Sequence, residues 1–292
     1  MQPSLSTGDL AAPVAPVLTS GLGNRLFQFA AASAAAALWR RPLTFSLPNC
    51  QECPHGPLAS IFRMFPHIPV EETPRTWTEY KEPPRRHYEY FPFEGESVPP
   101  APHSPILIHG FRQNPRYLAA LDPGGLAPNW NSALGGLAVR HWLERDASLW
   151  DPEEQARTVS LHVRLGDYRR LAHHQQDLTR YWARALEGVP RGARLHLFSD
   201  EPDLCKGQFA GWAARHGVHF TVARIRSDVE SLYEMSLCRG GNITANSTFS
   251  WWGAYFAHQA GSAWATYPSK WGAGMPDART IVPEWGILIE VD

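Results

Sequence analysis

The apolar positions of the C-terminal half fall into short runs separated by amphipathic stretches of helical length. Thr158–Val163, Arg194–Phe198, Val218–Val222, Asn242–Ala245 and Ala263–Tyr267 read as strands short enough to be buried on both faces. Between them the pattern predicts helices near Leu178–Glu187, Asp203–His216, Leu232–Arg239 and Phe249–His258. In the first, Leu178, Tyr181, Trp182, Ala185 and Leu186 hold the i, i+3, i+4, i+7, i+8 spacing of a single apolar stripe. Strands alternating with helices in this way imply an α/β fold with a parallel, doubly wound sheet. Ligands bind such sheets beyond the carboxyl ends of the strands. Three polar segments fall there: Arg164–Tyr168, Ser199–Glu201 and Asn246–Ser250.

The N-terminal half is less regular. Val14–Thr19 reads as a strand that ends in Gly21-Leu22-Gly23-Asn24, with a helix continuing over Arg25–Leu38. Glycines at such a turn serve either tight packing or the approach of a ligand. Residues 48–105 hold 13 of the 26 prolines and show no sustained period, which predicts loops and short helices. Their aromatic residues, Trp77, Tyr80, Tyr88, Tyr90, Phe91 and Phe93, are either loop anchors or sugar-stacking platforms. A strand follows at Ile106–His109, then a helix capped by Asn114 with Pro115 at its first position. Another helix is predicted at Ser132–Arg145. Asp151-Pro152-Glu153 reads as a junction, dividing the chain into domains 1–152 and 153–292.

Bulk properties narrow the partners. The 292 residues suffice for two domains with real cores. Net charge is −1, from 27 basic and 28 acidic residues spread without blocks, which argues against nucleic acid and against a polybasic membrane surface. No apolar run reaches the roughly 18 residues of a membrane span. Leu26–Leu38 leads into Trp39-Arg40-Arg41 rather than a small-residue cleavage site, so it reads as a buried helix. The expectation is a cytoplasmic protein without a transmembrane anchor, with peripheral association at the inner face of the membrane left open. Cys50 and Cys53, with His55 beyond, are half a zinc site, a redox pair or plain thiols. Without a second CxxC, plain thiols in a reducing compartment fit best, Cys205 and Cys238 included.

One stretch carries the most chemistry, Ser231–Phe256. Gly240 and Gly241 read as stopping a helix, Asn242–Ala245 as a buried strand, and Asn246-Ser247-Thr248 as caps ahead of the apolar run FSWWGAYF. Backbone N–H groups and hydroxyls at the positive end of a helix make an anion site. An ordinary βα corner whose serines only cap has the same local sequence.

From Leu232 to Ala254 this stretch resembles the C-terminal motif of the α-1,2-fucosyltransferases, D-L-Y-L-M-S-x-C-x-x-x-I-x-A-N-S-[ST]-F-S-W-W-G-A. It departs at Ser231, where the family carries an acid, and at Glu234, where an apolar residue is usual. Four further segments are similar to the same family. GLGNRLFQFA matches G-G-L-G-N-Q-x-F-Q-Y-A with Arg25 for glutamine. HGFRQNPRYL matches G-Y-F-Q-N-x-x-Y-F. His162-Val163-Arg164-Leu165-Gly166-Asp167-Tyr168 matches H-x-R-R-G-D-Y with Leu165 for the second arginine. Phe198-Ser199-Asp200-Glu201 resembles F-S-D-D.

The resemblance implies a GT-B-like architecture of two Rossmann-like domains and inverting transfer of L-fucose from GDP-fucose to the 2-hydroxyl of a terminal galactoside. It places the donor on the C-terminal domain and part of the acceptor site on the N-terminal domain. It implies no metal and no cofactor beyond the donor. Arg164, whose planar fork suits a diphosphate, Asp167 and Asn24 become the catalytic candidates. Gly21, Gly23, Asn24, His162, Arg164, Ser199, Asp200, Asn246, Ser247, Thr248, Phe249 and Ser250 become the donor-binding candidates. Asp228 and Glu230 are the candidates to replace the missing acid at Ser231, and whether either does stays open. Asp167 is either the general base or a brace on a neighbouring arginine such as Arg169, with His173 and His174 next in line as base. Two other readings stay open: a metal-dependent glycosyltransferase using Asp228-Val229-Glu230, and a non-catalytic sugar- or nucleotide-binding protein on the same scaffold. Oligomeric state is not legible.

Overall fold

The structure is a computed structural model that describes residues 11–54, 56–93, 101, 103–119, 151–272, 275 and 277–291. His55 and the helix expected at Ser132–Arg145 lie outside these residues. By packing, the chain separates into two compact units, one of Met1–Ser20 with Asn24–Pro128, the other of Gly21–Gly23 with Asn129–Asp292. The sequence places the junction later, at Asp151–Glu153, where a short helix α4 (Pro152–Arg157) is capped by Asp151 and leads into the first strand of the second unit.

In the first unit, β1 (Val14–Pro16) and β4 (Thr78–Lys81) flank β5 (Ile106–His109) in a parallel sheet, and β2 (Phe45–Ser46) pairs β3 (Val70–Glu71). The β4 strand lies in the stretch expected to be mostly loops and short helices; its TEYK sequence is mostly exposed and carries no apolar alternation to reveal it. Helix α1 spans Leu22–Leu38, beginning a turn earlier than expected, so Gly23 and Asn24 are its first turn rather than a loop before it. Leu26, Phe27, Phe29 and the alanines at 30–32 and 34–36 are buried, with Phe29 against Phe45 and Phe65. Each large side chain so buried contributes roughly 1.5–3 kcal/mol. Arg25, where the family has glutamine, is fully buried and donates to Gly56 O at 2.8 Å and Gln51 O at 2.9 Å, pinning that loop to α1. The aromatic residues of the proline-rich stretch serve in the same way. Tyr88 and Phe93 are buried, Phe93 packs on Trp39 and Tyr117, and Tyr90 lies against Tyr117. The short helix α2 (Leu58–Met64) packs beneath, and Asn114 Oδ1 accepts from Arg116 N at the start of α3 (Arg116–Ala119), the expected cap.

The second unit holds a six-stranded, all-parallel sheet in the order β11-β10-β9-β6-β7-β8. Its strands are β6 (Thr158–Val163), β7 (Arg194–Ser199), β8 (His219–Val222), β9 (Gly241–Ile243), β10 (Ala265–Pro268) and β11 (Ile287–Ile289). The pattern had supplied all but β11, a half-exposed edge strand of three residues. Helices α5 (Thr179–Leu186) and α6 (Pro202–His216) cover one face, their Tyr181, Ala185, Phe209 and Ala213 joining Val159, Leu161, Leu195 and Leu197 in a common core. On the other face, Met235 of α7 (Asp228–Ser236) and Phe249 of α8 (Thr248–Gln259) meet at Phe198. Helix α7 starts four residues before the expected position because Ser227 and Glu230 form a reciprocal capping box. It also ends at Ser236, so Gly240 and Gly241 do not stop it. Gly241 instead opens β9 at φ +151°, with the Trp264 indole where a side chain would go.

The chain runs outward from β6 to β8 and then returns to β9, on the other side of β6. The strand order therefore reverses between β6 and β9, and the crevice at their carboxyl ends is where such a sheet takes a ligand.

Candidate functional site

Fully buried β6 aims His162 and Arg164 at this reversal. Arg164 is half-buried and its fork is divided: Nη1 lies 2.8 Å from Asp200 Oδ2 and Nη2 lies 2.5 Å from Asp167 Oδ1. Asp200 also accepts from Leu165 N at 2.9 Å, fastening the loop after β6 to the loop after β7. Gly166 is required there, since a Cβ would stand 2.3 Å from the Asp200 carboxylate. The acids of this loop therefore do not cap α6. Asp200 braces Arg164, while Glu201 pairs with Arg169 at 3.2 Å and Ser199 Oγ accepts from Glu201 N. Asp167 likewise pairs with a neighbouring arginine, Arg164. One guanidinium facing two carboxylates leaves the trio formally anionic, so an incoming diphosphate must displace a carboxylate from the fork.

His162 is buried beneath the arginine. Burial first and the Arg164 charge second push its pKa down to about 3, so it offers no charge to a phosphate. Its Nδ1 has no hydrogen-bond partner, and its ring lies 5.9 Å from that of Phe249. Phe249 itself belongs to the apolar cluster under α8.

The Asn246–Ser250 turn is more internally committed than an open anion site. Ser247 caps α8 by accepting from Phe249 N, and Ser250 Oγ accepts from Ala245 N and donates to Ser247 O. Gly23, which packs with this unit along with Gly21, abuts the same helix start: a Cβ on it would stand 2.6 Å from Phe249 N and 2.7 Å from Thr248 Oγ1. What α8 still offers is its positive end, 12 residues of aligned dipoles directed at the reversal point. Asn246 is buried and donates to both Trp271 O (2.7 Å) and His174 O (3.1 Å), joining the loops after β6, β9 and β10.

Those ties set up a second group of side chains that the sequence motifs did not assemble. Tyr168 lies beneath the Arg164 guanidinium at 5.5 Å and stacks on His174 with centroids 4.4 Å apart and planes 7° apart. Burial pushes the Tyr168 phenol up to about 12, with Arg164 and the Ser247 hydroxyl opposing. A cavity of about 370 Å³ opens beside them, lined by Arg164 and Asn246 together with Leu178 and Trp182 of the α5 region. The Arg164, Tyr168 and His174 contacts are local, but the tie that holds them in place comes from Asn246, 72 residues from His174.

Of the candidates, Arg164, Asp167, His162, Ser199, Asp200, Asn246, Ser247, Thr248, Phe249 and Ser250 come from the strand ends, loops and helix start at the carboxyl edge of this one sheet. Asn24 belongs to the first unit, where its Oδ1 accepts from Gln113 Nε2 at 2.6 Å. Glu230, offered as a metal ligand or guanine reader, is spent on the α7 capping box, and Asp228 opens that helix one turn before Ser231. Cys50 donates its thiol proton to Ser46 O, and burial pushes its pKa up to about 11; neither Cys50 nor Cys53 forms a disulfide. Among the described residues, no helix is long and apolar enough to cross a membrane.

Comparison with known proteins adds to this geometry. The profile of glycosyl transferase family 11 matches residues 17–270. The O-antigen biosynthesis glycosyltransferase WbnK of Escherichia coli is 30% identical over 139 residues, 45% of this chain and 45% of that protein. The match thus spans less than half the length of that relative. Among solved structures, the NodZ α-1,6-fucosyltransferase of Bradyrhizobium, co-crystallised with GDP, superposes over 83% of this chain and 91% of its own at TM-score 0.50 and 13% identity. FUT1 of Arabidopsis thaliana in complex with GDP covers 97% of this chain and 77% of its own at TM-score 0.48 and 15% identity. The likeness to NodZ is one of fold, the GT-B-like α/β class with parallel sheets.

Proposed function

The chain belongs to glycosyl transferase family 11, and from that premise we propose that it moves L-fucose from GDP-fucose to the 2-hydroxyl of a terminal galactoside, with inversion. The observation that carries the reading is the forked Arg164, held at the reversal of a parallel sheet beside the positive end of α8. Transfer from a nucleotide sugar builds positive charge at the anomeric carbon and negative charge on the departing diphosphate. A guanidinium and a helix start, fixed before the reaction, stabilise that leaving charge without reorganising. In our reading they do so without a divalent ion. Asp167 and Asp200 hold the guanidinium in place until the diphosphate replaces one of them.

GDP as the nucleotude is favoured by the signature resemblance and by the GDP bound in NodZ, and the 2-hydroxyl by the long motif match at Leu232–Ala254. NodZ makes an α-1,6 linkage, so linkage rests on the motif alone. The name of the Escherichia coli relative favours an oligosaccharide acceptor. The test is a donor panel with lactose as acceptor. GDP-fucose should be consumed in an acceptor-dependent way while GDP-mannose and UDP-galactose are not. Equal consumption of a UDP-sugar contradicts the reading.

A further inference from the structure

Inverting transfer needs a group to take the acceptor proton on the face away from the leaving diphosphate, whereas Asp167 pairs with Arg164, the residue that meets that diphosphate. We infer that His174 is that base, that the cavity it lines receives the acceptor's terminal sugar, and that Asn246 is its positioning residue. The inference rests on the fucosyl-transfer reading above.

The placement of His174 is over-determined. Its backbone carbonyl accepts from buried Asn246, which is itself anchored on Trp271 O. The backbone at Gly272 presses on the neighbouring turn so closely that a Cβ would stand 1.9 Å from His173 O. Its ring is stacked on Tyr168, which lies under Arg164. A histidine clamped from three loops is built to hold a position. That position lines the 370 Å³ cavity, the size of a small-ligand pocket, whose lining also includes Arg164. Gln175, Gln176 and Asp177 supply hydroxyl-binding groups and Trp182 an aromatic wall, the lining a pyranose requires.

The charge environment suits a base. Burial lowers the His174 pKa, as do His173 and Arg164, while Asp167 opposes them. The groups that face it from the loops after β9 and β10, Asn246 and the backbone at Trp271, are uncharged; Arg169 and Asp177 in the cavity wall are engaged with Glu201 and the α5 start. His174 is therefore neutral at neutral pH and has a lone pair to give. In the step, the acceptor 2-hydroxyl oxygen forms a bond to the fucose anomeric carbon and its proton passes to the free imidazole nitrogen. The bond from that carbon to the β-phosphate oxygen breaks, and its electron pair leaves on GDP toward Arg164. The imidazolium then returns its proton to water.

The experiment compares wild type with His174→Gln and His174→Ala in acceptor-dependent transfer from GDP-fucose, across pH. We expect kcat to fall by about 10²- to 10⁴-fold, calorimetric GDP affinity to stay within about threefold, and the acid limb of the wild-type kcat/KM profile to vanish. That limb should lie below the ordinary histidine value of about 6.5, because the neutral, active form persists to lower pH when the pKa is depressed. Added imidazole should restore part of the His174→Ala rate, which no structural role explains. Gln176→Leu should raise the acceptor KM with little change in GDP affinity. If loss of the ring unfolds the protein, His174→Phe keeps the stack on Tyr168 and gives the same reading. An active wild type whose His174→Gln variant keeps kcat within about fivefold, or keeps the acid limb, overturns the inference and leaves the fucosyl-transfer reading standing. A wild type inert toward GDP-fucose overturns both.

Discussion

Replacing Arg164 by lysine keeps the charge and removes the fork. In the structure Nη1 and Nη2 reach carboxylates on two different loops, at 2.8 and 2.5 Å. A lysine ammonium is a single point at the end of a flexible stem and can serve one of them. Each hydrogen bond to a charged group contributes about 1.5–3 kcal/mol. A donor lost from transition-state stabilisation costs about 2.7–4 kcal/mol, or about 10²- to 10³-fold in kcat. We therefore expect Arg164→Lys to lose about 10²- to 10³-fold in kcat with GDP-fucose, nearly as much as Arg164→Ala. The pair lies at the rim of the sheet and not in the core, so the melting temperature should fall by no more than about 4 °C. Steady-state kinetics, GDP calorimetry and a thermal melt on the same preparation separate these effects. Near wild-type kcat in the lysine variant would refute the reasoning, because Arg164 would then act only as a charge.

Transfer should survive EDTA at full rate; loss of activity restored by Mn²⁺ or Mg²⁺ would show that a divalent ion does what is assigned here to Arg164 and α8. Asp228→Asn should weaken GDP by about tenfold while leaving ADP unchanged by calorimetry, since Asp228 lies one turn from the serine that replaces the family acid and Glu230 is occupied in the capping box; an equal effect on both nucleotides removes Asp228 as a guanine reader. Glu234→Leu, the substitution toward the apolar residue usual in the family, should cost about 3–5 kcal/mol in urea unfolding. The Glu234 carboxylate is buried between His196 at 3.0 Å and Arg226 at 3.3 Å, and its loss takes a charged partner from both of these buried side chains. An unchanged midpoint would mean that Arg226 re-pairs or reaches water.

The strands β5 and β6 run over the same residues that the apolar pattern marks, because both are buried along nearly their whole length and bounded by polar turns. Where burial is partial, the pattern fails: β4 and β11 sit at sheet edges and carry exposed or half-exposed residues. The α7 start was written in the sequence as Ser227-x-x-Glu230, yet the same acids also fit a metal-ligand spacing, and only the hydrogen bonds decide between the two. Arg164 was legible as the central cation of the site. Its partners were not, because Asp200 is 35 residues from the Leu165 amide it accepts from, and Asn246 is 72 residues from the His174 carbonyl it holds. Asn246 and Ser250, two of the donor-binding candidates, spend their side chains on the loops that shape the site.

The decisive measurement is the linkage in the product. Incubated with GDP-fucose and lactose, the enzyme should release GDP and yield one trisaccharide, in which two-dimensional NMR finds α-fucose joined to the 2-oxygen of galactose. Fucose on any other hydroxyl, a β-linkage, or transfer only from a nucleotide sugar other than GDP-fucose contradicts the account.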